Sequence, residues 1–76
     1  MMYAISQGRE DEYHVWYGTD MVCSSPNWRD IINFLKAMYK QNGYNPLHIV
    51  PINIPDRAKL VGLEVLAVKM HKKMIA

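Results

Sequence analysis

The side chains with reactive chemistry in this chain are His14, His48, His71 and Cys23. The three histidines fall on three different predicted elements, and no HxH, HExxH or CxxC spacing gathers metal ligands locally. Gly8, Gly18, Gly43 and Gly62 are scattered, so no backbone cradle for phosphate is expected. Neither a metal nor a cofactor is implied. The one catalytic pairing within reach is Cys23 with His14 across a predicted hairpin, where an imidazole could lower the thiol pKa and produce a nucleophile. Nothing in the sequence supplies a third orienting group or an oxyanion donor. A cysteine packed as a small apolar side chain is therefore the stronger reading, and the chain is expected to be no enzyme.

Charge and aromatic content offer binding chemistry instead. Lys69, Lys72 and Lys73 with His71 form a basic end, joined by Arg57 and Lys59 at the start of the same segment. Such lysines either complement a helix C-terminus and keep the surface soluble or contact phosphate or an acidic partner. Glu10, Asp11 and Glu12 read as a solvated loop. The formal charge of +2 is too small to imply nucleic acid by itself.

Of the two tryptophans, Trp28 lies on a helix stripe and is assigned to the core. Trp16 shares a predicted sheet face with Met2, His14 and Met21, and an exposed tryptophan ringed by methionine has the make-up of a protein-binding hot spot. Were the two faces inverted, Tyr3, Tyr13 and Tyr17 would be outside, suited to stacking on single-stranded bases with help from Lys69, Lys72 and Lys73.

The elements that must position these residues are legible in order. Met2 to Gln7 and Tyr13 to Tyr17 carry the β-branched and aromatic enrichment of strands, separated by a polar loop. Gly18-Thr19 fits a two-residue type II′ turn, so Met21 to Ser24 returns as a third strand. The registers predicted from these turns set Ser6 against His14, Ile5 against Val15, Tyr3 against Tyr17, Trp16 against Met21, Val15 against Val22 and His14 against Cys23. Alternation then puts Tyr3, Ile5, Tyr13, Val15, Tyr17 and Val22 on one face, taken as core, and Met2, Ala4, Ser6, His14, Trp16, Met21 and Cys23 on the other.

Ser25 to Gly43 announces a helix, with Trp28, Ile31, Ile32, Leu35, Met38 and Tyr39 on one stripe. Ser25 with Pro26 at the first helical position, or Asn27, serves as cap, and Gly43 with Tyr44 closes the end. Leu47 to Ile54 reads as a fourth strand, confined to an edge by Pro51 and placed parallel beside the first by right-handed crossover. Arg57 to Met74 comes next as a second helix capped by Asp56. Its valines also allow a strand over Leu60 to Met70, against which the consecutive apolar run Val65 to Val68 argues.

Seventy-six residues, 50% apolar and 21% charged, describe one folded domain, 1–76, with a thin core. One cysteine gives no internal disulfide, which points to a reducing cytoplasm. No apolar stretch reaches the roughly 18 residues of a membrane span, and no leader pattern precedes the first strand. Six methionines are many for this length and speak for a natural sequence rather than a designed one. The expected fold is an α+β two-layer sandwich, β-β-β-α-β-α: an antiparallel meander, a helix, an edge strand and a C-terminal helix. The expected function is a small intracellular protein-binding or regulatory module, a phage or plasmid accessory factor acting on a host protein or a self-associating homodimer. A nucleic-acid-binding regulator is the alternative, and no membrane partner is expected.

Overall fold

The computed structural model describes residues 2–75, with the side chains at 10 and 73–75 outside the described residues. The elements are β1 (Met2–Gln7), a single 3₁₀ turn (Arg9–Asp11), β2 (Tyr13–Tyr17), β3 (Asp20–Ser25), α1 (Trp28–Gln41), β4 (His48–Asn53) and α2 (Arg57–Ile75). They form the small α+β fold expected, with strand order β3-β2-β1-β4. The first three strands are an antiparallel meander, and β4 lies parallel to β1.

Turn chemistry sets the register. Ser6 faces His14, Ile5 faces Val15 and Tyr3 faces Tyr17. Gly18 takes a positive φ of 64° and Thr19 does not, the combination a type II′ turn requires, and it places Met21 opposite Trp16. The ladder then departs from the predicted pairing. A register shift between Val15 and Trp16 leaves Val22 as an extra residue, so Val15 faces Cys23 and His14 faces Ser24. One inserted residue reverses the sidedness of the strand beyond it: Val22 is 42% exposed, whereas Cys23 packs against the core.

Helix α1 starts at Trp28, later than Ser25, because Ser25 is still paired with Tyr13 in the ladder. Its hydroxyl braces the junction instead, accepting from the Asn27 N–H at 3.1 Å and donating to Asp30 Oδ2 at 2.7 Å. Asn27 holds the cap position without a side-chain cap bond. At the other end, Gly43 N–H reaches Lys40 O at 3.2 Å and Tyr44 N–H reaches Tyr39 O at 3.0 Å, a Schellman closure with Gly43 at φ 67°. The accompanying apolar contact is the Tyr39–Tyr44 ring pair, 5.5 Å between centroids.

Segment 57–75 is helical, which removes the strand alternative. Asp56 caps it, with Oδ1 accepting from Ala58 N–H at 2.9 Å and Lys59 N–H at 3.4 Å. Both helices pack on one side of the sheet. Tyr3, Ile5, Tyr13 and Val15 meet Ile31, Leu35 and Tyr39 of α1 and Leu63, Leu66 and Met70 of α2, with Leu47 and Ile54 closing the ends of β4. Ile5, Val15, Ile31 and Leu35 are fully buried, each worth about 1.5–3 kcal/mol of transfer free energy. The face carrying Tyr3, Ile5, Tyr13 and Val15 is therefore the core face, although Tyr17, assigned to it with them, is exposed, and among the described residues no helix lies on the other side of the sheet.

Candidate functional site

Successive strand residues point to opposite faces, so the residues paired with outward-facing neighbours define the open surface. Met21 pairs with Trp16, Trp16 with Ala4, and Ala4 with Val50. These four make an apolar row that crosses all four strands. Beside it runs a polar row, Ser24, His14, Ser6 and Asn53, joined by the same ladders. Met2 stands against His48 at one margin. Met2 and Met21 are 54% and 51% exposed, and Trp16 is half-buried.

Trp16 is held in a definite pose. Its Nε1–H donates to Ser6 Oγ at 3.1 Å, which satisfies its one polar group within the sheet and leaves the apolar ring as the presented surface. His14 meets it edge to face at 6.2 Å between centroids. The imidazole is itself fixed from two sides: Nε2 lies 3.5 Å from Glu12 Oε2, and the ring rests on Gly8, where an added Cβ would lie 2.5 Å from Cε1. The predicted set Met2, His14, Trp16 and Met21 thus shares one face. Ala4, Val50 and Ser6 complete it, and Val50 joins only through the β4 register.

Of the residues suited to nucleic acid, Tyr3 and Tyr17 meet at 5.3 Å between ring centroids, but the set does not form one exposed surface. Tyr3 and Tyr13 are 6% and 7% exposed because both helices cover their face, so neither ring can stack on a base. Burial, then the neighbouring Tyr17, pushes the Tyr3 hydroxyl pKa up. Tyr13 is enclosed by Trp28 at 5.0 Å and Lys59 at 5.5 Å from its ring centroid. Tyr17 alone of the three is exposed, at 44%. Lys69 and Lys72 belong to the helix layer on the far side of the sheet, and the side chain of Lys73 lies outside the described residues.

The Cys23–His14 pairing is also corrected. The bulge turns Cys23 towards the core while His14 faces outward, and burial, then the Asp30 carboxylate, raises the thiol pKa. Both effects disfavour the thiolate a nucleophile needs. Among the described residues, no group of three or more His, Cys, Asp or Glu side chains could hold a metal ion. No helix among them is long and apolar enough to cross a membrane. Comparison with known proteins found no matching family model, no matching curated protein and no matching solved structure.

Proposed function

We propose that this chain is a small non-catalytic binding module, regulatory in role, that docks a protein partner or a second copy of itself on the open sheet face around Trp16. The observation that carries the reading is the apolar row Met21, Trp16, Ala4 and Val50 on a face that neither helix covers. A tryptophan pinned by Ser6 costs little ordering entropy on docking, and flanking methionines adapt to a partner's shape. The sheet margins favour the face over the edges, since β3 carries a bulge and β4 carries Pro51. With one cysteine and no disulfide to gain, the reading includes a cytoplasmic location.

The test is Trp16→Ala beside the wild type, in affinity capture from the native host with mass spectrometry and in sedimentation velocity of the protein alone. Partner capture or self-association should fall about tenfold or more. Thermal unfolding should show a loss of no more than about 2 kcal/mol, as for a half-buried ring with one hydrogen bond. Equal capture and equal self-association by the two proteins, or collapse of the variant's fold, removes the reading.

A further inference from the structure

On the opposite side of the molecule from Trp16, α1 and α2 leave an open groove of about 560 Å³ between them, within the range of small-molecule sites. Its floor is apolar: Tyr39, Leu66 and Met70 are 7%, 8% and 2% exposed. Tyr39 fastens the floor by donating its hydroxyl to Met70 O at 3.3 Å. Its walls are the alkyl stems of lysines that carry their charge at the rim, Lys36 and Lys40 one turn apart on α1 and Lys69 and Lys72 one turn apart on α2.

Four lysines around one groove in a molecule of net charge +2 call for an explanation. Ion pairing does not supply it: among the described residues none of the four has an acidic partner within ion-pair distance. Each helix carries a single acid, Asp30 on α1 and Glu64 on α2. Asp30 is bound to Ser25 at the far end of α1, and Glu64 shares a neighbouring hollow with Lys69 and Lys72 without forming an ion pair among the described residues. Helix dipoles account for Lys40 and Lys72, which lie in or at the last turns, but that effect fades within one turn and leaves Lys36 and Lys69 unexplained. An anion at the rim of the groove would be attracted by all four.

A groove of about 560 Å³ with an apolar floor has the size of a small-ligand site. We propose that the groove binds a free, single-chain anionic amphiphile, an alkyl body lying on Tyr39, Leu66 and Met70 with one carboxylate or phosphate monoester held by the lysines. This site is independent of the Trp16 face.

The probes are decanoate and decyl phosphate, titrated below their micelle concentrations, with decanol as the neutral counterpart and phosphatidylglycerol vesicles as the bilayer counterpart. Saturable binding that shifts the Leu66 and Met70 methyl NMR signals is expected. Shortening the chain should weaken it by about two- to fourfold per methylene. Decanol should bind at least about tenfold more weakly, and the double variant K36Q/K69Q, altered only at exposed positions, should lose a similar factor while keeping its circular dichroism. Trp16→Ala should leave this binding unchanged, which separates the outcome from that of the sheet face. Equal binding of decanol, an unaffected double variant, or binding to vesicles without saturable binding of free amphiphile overturns the proposal.

Discussion

Asp56 ties the ionisation of one side chain to the start of α2. Its carboxyl pKa is held below the ordinary value by the Lys59 ammonium at 3.0 Å, then by the Ala58 and Lys59 backbone N–H groups. A carboxylate whose folded pKa is depressed stabilises the fold above its unfolded pKa of about 3.9 and loses that effect as pH falls through the lower folded value. Acidification below about pH 4 should therefore fray α2 from its first turn, read as faster amide exchange at Ala58 and Lys59. Asp56→Ala should show that faster exchange already at neutral pH and lose the acid-dependent step. This residue was legible from the sequence, because an Asp directly before an apolar-periodic stretch is a capping signal that acts within one turn. Cys23 was not. Its direction depends on an extra residue at Val22, and no glycine or proline there marks a bulge.

The two helices make opposite demands on their glycines. Gly43 sits at φ 67° in the Schellman closure, so Gly43→Ala should destabilise by about 1 kcal/mol, measured by urea unfolding. Gly62 lies inside α2 with no atom near an added Cβ, so Gly62→Ala should stabilise by up to about 1 kcal/mol in the same assay. Helix α1 could be read from its sequence because one stripe carries nearly all its apolar residues and Ile31, Leu35 and Tyr39 are the ones buried. Helix α2 was harder. Leu63, Leu66 and Met70 face the core, but Val61, Val65 and Val68 face solvent, which blurs the period and imitates a strand. The Trp16 row was half legible: the hairpins gave Met21, Trp16 and Ala4, while Val50 depended on a parallel pairing that no local turn specifies. The lysine groove was illegible in outline, since Lys36 and Lys40 meet Lys69 and Lys72 only when two helices distant in sequence are packed together.

At the scale of the whole molecule, the sheet ends in two blunted edges. Pro51 removes one backbone donor from β4 beside Ile52, which is 66% exposed. Pro51→Val should restore that donor in a strand flanked by apolar side chains and promote edge-to-edge association, seen as concentration-dependent growth in light scattering; an unchanged monomer–oligomer balance would show that the proline has no such protective role. Strand order was predictable because short antiparallel turns and right-handed crossover leave few arrangements for β-β-β-α-β. The sheet's centre has a further consequence in time. Strand β1 pairs with β2 through a short loop but waits for β4 until α1 has been laid down, so contacts such as Tyr3 with Ile49 close a long span of chain. Until that closure, β1 is itself a bare edge, and it carries neither the bulge of β3 nor the proline of β4. A meander lacking β4 would leave β1 unguarded, so slowing the closure of β4 onto β1 should increase association during refolding, read as light scattering.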